Sequence, residues 1–531
     1  MNHTRIHTEP RVVFARLVIT GVLLLIYLII PLRFDYPAIG QPIDDGNQTA
    51  KNSPVEAGGD SGKLSLEEIR ALHRSALRKY GEKKYAEALA DYSKILLNDS
   101  TDVIALYNTA CVQALLDHPS KAAKLLVNAV QAGFIDFQRM IHDPDLDSVR
   151  DEPEYQAILE MQDELRDSAG TRLEDLARKL LGKSAIVERD DELRIIFGAN
   201  LDRETFDRMK RKLERQMKWQ IDHLFGGPPN SFVLVLIPTP EKAQAIIGSA
   251  RIGGFYDHDK KQLVSRDLGS SLQHELTHAL HHGQMDRLAQ VHPVWLQEGL
   301  ASVFEMYEID NDGERLLVPG NARLNIAINL EHIHGLTKWK KLFSLSDKKF
   351  VGSRPRARYA EARTIFQFLA EKGLLEAWYG SYVKHYNEDS TGRVAFLDVF
   401  HAEKLKTVED EFKRWLNGKE PVPEEVPSDH AALGLWVVDQ AANDGVEIVG
   451  LHPGGAARGS GIIPREVITA VDDEPVYSAE ELVFRIMQHD SGDAVTLHLR
   501  RGKKYHDVTI HLKPVVKPRR TEIVQAPGAL V

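Results

Sequence analysis

In the stretch SLQHELTHALHH, residues 271–282, His274 and His278 stand four apart with Glu275 beside the first. On an α-helix that spacing projects both imidazoles from one face, one turn apart. Two such nitrogens can reach one tetrahedral zinc ion at about 2.0–2.1 Å each, and the intervening Glu275 is placed to take a proton from a water on that metal. A catalytic zinc also needs a third protein ligand and one open position. Cys111 is the only cysteine, so the third ligand has to be His, Asp or Glu. The metzincin spacing fails, because His281 and Gln284 stand where that pattern has glycine and histidine. Further on, Glu298 lies in VWLQEGLASVFE. A second helix that buries Trp295, Leu296, Leu300, Val303 and Phe304 could carry its carboxylate to the same ion. One zinc per chain is the implied cofactor. His281, His282 and His292 are expected to be neighbours of the ligands or surface residues, not ligands.

HExxH followed at this distance by the Glu of WLQEGLAS resembles the gluzincin zinc peptidases, which include thermolysin and the WLNEG aminopeptidases. The short form here looks most like the peptidase-MA-like branch found in many bacterial proteins. The resemblance implies a zincin-like fold and a metallopeptidase that hydrolyses peptide or protein substrates with zinc-activated water. His274, His278 and Glu298 would hold the metal, and Glu275 would be the general base. RYAEARTIFQFL is similar to the YEKG segment of the aminopeptidases and nominates Tyr359 to stabilise the oxyanion, with Ala362 where the family has glycine. Ser302 stands where thermolysin has Asp, and Glu305 on the next turn is the candidate to orient a ligating histidine. The aminopeptidase Gly-x-Met-Glu-Asn segment has no counterpart in GGFYDHD. An endopeptidase is therefore expected over an aminopeptidase, with an edge strand at 253–264 to pair with an extended peptide.

The elements around these residues form a multidomain, α+β pattern. LRIIFGA and SFVLVLIP are short, apolar and rich in β-branched residues, which predicts strands, and DRETFDRMKRKLERQMKWQIDHLF between them predicts a helix. After the histidine-rich stretch the pattern is helical as far as VEDEFKRWLNG, so residues 169–418 are expected to form the peptidase domain. Upstream, KKYAEALADYSKILLNDS and HPSKAAKLLVNAVQAGF align with Ala88 on Ala122 and Tyr92 on Leu126, the tetratricopeptide period of 34 residues. All-α tetratricopeptide-like repeats are expected over 64–168, as a surface for a protein partner.

LVITGVLLLIYLIIPL, residues 17–32, is uncharged and preceded by Arg5, Arg11 and Arg16. As helix it spans about 24 Å, and adding VVFAR brings it toward the roughly 30 Å of a hydrocarbon core. Arg33, Phe34, Asp35 and Tyr36 follow in place of a small-residue cleavage site, which favours an uncleaved anchor over a signal peptide. A transmembrane helix within 1–34 is expected, giving a single-pass membrane protein. Its N-terminus would lie in the cytoplasm and its bulk would be periplasmic or otherwise extracytoplasmic. The Gly-, Pro- and Asp-rich residues 35–63 would be a flexible linker.

KEPVPEEVPSD, residues 419–429, predicts a second linker. Residues 430–515 are β-rich and resemble a bacterial PDZ domain of the kind attached to periplasmic proteases. That resemblance makes Leu433, Gly434, Leu435 and Trp436 the loop that binds a peptide C-terminus or internal strand, with helix 478–489 lining the groove. Whether such a domain would recruit substrate or gate the cleft is open. Residues 516–531 are expected to be a disordered tail. The net charge of −10 gives no basic footprint for nucleic acid. The rival from another class is a non-catalytic scaffold that keeps the tetratricopeptide and PDZ modules around a degenerate peptidase fold.

Overall fold

Ser65 and Glu68 exchange hydrogen bonds as a capping box and so open the first helix, α1 (Leu66–Gly81). The computed structural model describes residues 64–248, 253–258, 260–288, 290–310, 312–428, 430–439, 444–514 and 528–531. They belong to two units, one of residues up to 173 with 230–232, the other of 174–229 with 233–531. In the first unit α2 (Tyr85–Asn98), α3 (Val103–Leu115) and α4 (Pro119–Ala132) follow α1. Ala88 and Ala122 are fully buried, as are Tyr92 and Leu126. The small side chains let α1 pack on α2 and α3 on α4. Gly133 ends α4 in the left-handed region that glycine adopts without strain. Three more helices, Phe137–His142, Pro153–Glu160 and Gln162–Leu181, continue the all-α run.

The second unit begins with a five-stranded sheet in the order β1-β2-β3-β5-β4, formed by β1 (Ile186–Asp190), β2 (Ile195–Ala199), β3 (Val233–Ile237), β4 (Gly254–Asp257) and β5 (Gln262–Ser265). β2, β3 and β5 run parallel, while β1 and β4 pair antiparallel at the two edges. The inner strands IIFGA and VLVLI are buried at every position, as parallel strands covered on both faces must be. Between β2 and β3 lies α5 (Arg203–Gln220), capped by Asp202, whose Phe206, Met209, Leu213 and Met217 enter the main core. Then come α6 (Ser270–Leu288) and α7 (Val294–Val303), a short hairpin of β6 (Glu308–Ile309) and β7 (Leu316–Leu317), α8 (Ala322–His332) and α9 (Pro355–Glu371).

The β-rich part of this unit has β8 (Ala431–Ala432), β9 (Leu435–Asp439), β10 (Val446–Leu451), β11 (Val467–Val471) and β12 (Glu474–Pro475). After α10 (Ala479–Ile486) come β13 (Ala494–Arg501), β14 (Lys504–His511), β15 (Lys513–Pro514) and β16 (Ala529–Leu530). Its main sheet runs β14-β13-β11-β10-β9-β16. This part is bound to the α+β part by polar contacts from α5 and α8. Lys212 pairs with Glu481 at 2.7 Å, Arg215 with Glu474 at 2.9 Å, and the Ala322 amide donates to Glu480 at 2.6 Å. The predicted linker is itself held, since Val422 and Asn325 exchange two hydrogen bonds.

Two expectations are corrected. Among the described residues no helix is long and apolar enough to cross a membrane. That overturns the fold class with a transmembrane helix, along with single-pass membrane localisation and membrane contact through the N-terminal helix. The architecture is instead helical and sheet regions with a PDZ-like β domain. The run at 17–32 and the linker at 35–63 lie outside the described residues. The expected disordered tail also differs at its far end, where β16 pairs with β9; residues 515–527 lie outside the described residues.

Candidate metal centre

Local sequence sets up α6 before any metal is considered. The buried Asp267 carboxylate accepts from the amides of Gly269 and Ser271 at 3.1 and 3.2 Å and so caps the helix start. Leu272, Leu276, Ala279 and Leu280 are fully buried in the core. Gln216 and Gln220 of α5 reach Thr277 at 3.1 and 2.8 Å, which fixes how α6 is turned about its axis. His274 and His278 project from one face, and their Nε2 atoms lie 3.1 Å apart.

The second helix arrives because its own apolar residues demand burial. Trp295, Leu296, Leu300, Val303 and Phe304 are all completely buried. Gly299 makes the close approach possible, since a Cβ there would lie 2.8 Å from the Phe366 ring and 3.0 Å from the Ala362 Cβ. The alanine at 362 is thus the small residue against which α7 packs. With α7 seated, Glu298 Oε2 lies 3.2 Å from His274 Nε2 and 3.5 Å from His278 Nε2. Among the described residues His274, His278 and Glu298 form a group that could hold a metal ion, with all ligand atoms within 4.8 Å of one another.

The donor set fits a divalent cation such as zinc. His274 Nδ1 faces Glu305 Oε1 at 3.0 Å, so a proton on Nδ1 leaves the Nε2 lone pair aimed at Glu298 and His278. Three acceptors then face one another, an arrangement that only a cation relieves. When that cation is a proton, His274 carries it. Burial pushes the imidazole down, but hydrogen bonds to Glu298 and Glu305 outweigh this and raise it to about 10. Burial would likewise raise the Glu298 carboxyl, yet the charge of His278 and hydrogen bonds to both imidazoles hold it well below the usual range. Two imidazoles and a carboxylate suit zinc better than the all-oxygen preference of magnesium or calcium.

Around this trio the structure adds one residue the sequence did not reveal. Arg323, at the start of α8, grips Glu305 with two hydrogen bonds of 2.6 Å. Burial alone would raise Glu305, but His274 and Arg323 hold it at about 2. The chain from Arg323 through Glu305 to His274 locks ring orientation and tautomer together. Nothing in the local sequence around Arg323 signals this, because the arginine comes from a separate helix. Tyr359 on α9 sits under the Arg323 guanidinium, 5.3 Å from its ring centre, and packs on Phe350. Its hydroxyl is pushed well up by burial, then by the charge and hydrogen bond of Glu298, so it stays protonated.

Glu275, on the same helix as the two histidines, packs beside β4, where a Cβ on Gly254 would be 3.4 Å from its Cγ. Among the described residues β4 ends the strand order of its sheet. The other histidines form separate pairs. His281 and His292 share a 2.7 Å contact in the core, and His282 stacks on His258 at 4.5 Å.

In the PDZ-like part, Leu435 and Trp436 form the start of β9, but Leu433 and Gly434 are engaged elsewhere. Ala457 donates to the Leu433 carbonyl and His452 to the Gly434 carbonyl, each at 2.8 Å. Gly434 has φ +72°, and a Cβ there would meet Gly455 Cα at 2.3 Å, so the glycine-rich turn sits directly on this loop.

Residues 431–512 match the PDZ domain family, and the chain carries that domain. It is 32% identical over 94 residues to Protease Do-like 8, chloroplastic, of Arabidopsis thaliana, covering 18% of this chain and 20% of that protein. It is 38% identical over 68 residues to Serine protease PepD of Mycobacterium tuberculosis, covering 13% and 15%. The chain spans a quarter or less of the length of the curated relatives it matches. Among solved structures, an aminopeptidase N family protein from Idiomarina loihiensis aligns over 63% of this chain and 68% of its own, at 14% identity and a TM-score of 0.26. No common fold is inferred from that score.

Proposed function

We propose that this protein is a zinc-dependent endopeptidase whose PDZ domain, and whose tetratricopeptide-like helical unit, bind peptides or protein partners. The observation that carries the reading is the meeting of His274, His278 and Glu298 side chains from two helices within 4.8 Å, with Glu275 next to the first of them in the chain. A zinc ion held by these three residues would polarise a substrate carbonyl and acidify a water molecule. Glu275 holds the proton removed from the attacking water and passes it to the leaving amine. The protonated Tyr359 hydroxyl donates a hydrogen bond to the developing oxyanion. β4 ends the order of its sheet among the described residues, and an extended peptide added beside it would bring its scissile bond toward Glu275.

A casein-like substrate tests this directly. Hydrolysis is expected to stop when 1,10-phenanthroline removes the metal and to return when zinc is restored. Activity that persists in metal-free protein would overturn the assignment. Arg323 gives a finer check. Arg323→Ala leaves the buried Glu305 with His274 alone, and zinc affinity is expected to fall about 10–100-fold in a chelator competition. Unchanged affinity would mean that Glu305 orients His274 unaided.

A further inference from the structure

The edge of β9 away from β10 is where a PDZ domain accepts an extended peptide, and in this structure part of the same chain lies there. β16 pairs antiparallel with β9, with Ala529 opposite Val437 and Leu530 opposite Trp436. The Leu435 amide donates to the Val531 carbonyl at 2.9 Å, and the Val531 amide returns a bond to the Leu435 carbonyl at 2.8 Å. From the other side the Val426 amide donates to the Leu530 carbonyl at 2.9 Å. Residues 529–531 are therefore bonded along both edges. Val531 is 0% exposed and Leu530 5%. Both belong to the apolar cluster that contains Leu435 and Val437 of β9 and Leu482, Val483 and Ile486 of α10.

Gly528 adds an independent observation. Its φ is +118°, and a Cβ there would lie 2.2 Å from the Val437 carbonyl oxygen and 2.9 Å from the carbonyl carbon. Backbone cannot yield as a flexible side chain can, so the segment reaches β9 only with glycine at this position.

We propose that residues 528–531 are an internal ligand of the PDZ groove, so that any outside peptide has to displace them. The segment also defines what the groove takes: an extended peptide with aliphatic side chains at the positions of Leu530 and Val531 and glycine at the position of Gly528. An occupant on the same chain as the groove binds intramolecularly, so an outside peptide competes against its effective concentration and not its bulk concentration. The intact chain then shows only the fraction of its affinity that corresponds to the open groove. This inference rests on the PDZ domain alone and stands or falls apart from the peptidase reading.

The test uses a fluorescent peptide of sequence VQAPGALV, corresponding to residues 524–531, with binding followed by anisotropy. The probe is titrated against the full chain, the Gly528→Val chain and a chain ended at Pro527. Both altered chains are expected to bind it at least about tenfold more tightly than the intact chain. Equal affinity for all three would overturn the proposal. So would absence of binding to either altered chain whose thermal unfolding shows the domain intact. Amide exchange on the unaltered chain provides a check that needs no variant. The Leu435 and Val531 amides are expected to be protected together, and a Val531 amide that exchanges at the free-peptide rate would equally sink the idea.

Discussion

Glu275→Gln is expected to lower peptide hydrolysis by about 10²–10⁴-fold while one zinc per chain is retained. The amide is nearly isosteric with the carboxylate, so the helix and its packing are preserved, but it cannot accept the proton that a nucleophilic water must lose. Glu275 is not among the three residues whose ligand atoms converge, so metal content is the internal control. Two measurements decide the matter: initial rates on a casein-like substrate, and elemental analysis of the same preparation. A variant with full zinc and full activity would remove Glu275 from the chemistry. An unaltered chain with neither zinc nor activity would return the protein to the scaffold reading.

His274→Ala is expected to abolish zinc binding, with metal content falling from one per chain to near zero. The loss should exceed the roughly 10–100-fold that follows removal of an outer partner, because His274 joins every part of the centre. Its Nε2 faces both His278 and Glu298, while its Nδ1 is the contact through which Glu305 and Arg323 act. With alanine there, two donors remain on a site that needs three. Dialysis against a zinc buffer followed by elemental analysis measures the outcome. Zinc bound at full stoichiometry by His274→Ala would show that the metal sits elsewhere.

Much of the centre could be read locally. A spacing of four on a helix fixes the common face of His274 and His278 whatever surrounds them, because helix geometry depends only on near neighbours. The apolar residues of VWLQEGLASVFE likewise predicted which side of α7 would be buried, and all five positions named for it are. Glu305, nominated on the turn after Ser302 to orient a ligating histidine, lies just past the end of α7 and faces His274 Nδ1 at 3.0 Å. The strand runs and the turn at Gly502 indicated a β-rich unit with a helix and a closing hairpin over 430–515, and its resemblance to bacterial PDZ domains supplied the family.

What no local pattern could supply is anything that depends on residues distant in the chain arriving at one place. Arg323 is an ordinary arginine until α8 brings it to Glu305, and Ala362 is one more helix former until Gly299 packs against it. The segment APGALV has the glycine and proline of coil and no strand period of its own. It becomes β16 because β9 pairs with it on one side, the Val426 amide bonds it on the other, and the apolar core of this domain takes in Leu530 and Val531. The apolar run at 17–32 was legible too, as composition, but composition alone led to a membrane-spanning fold class that the helices of the described residues do not support. Sequence determined the reactive groups and the faces they share. Tertiary structure decided their partners, because helix periodicity is set within a turn while strand pairing and ion-pair chains are set by long-range packing.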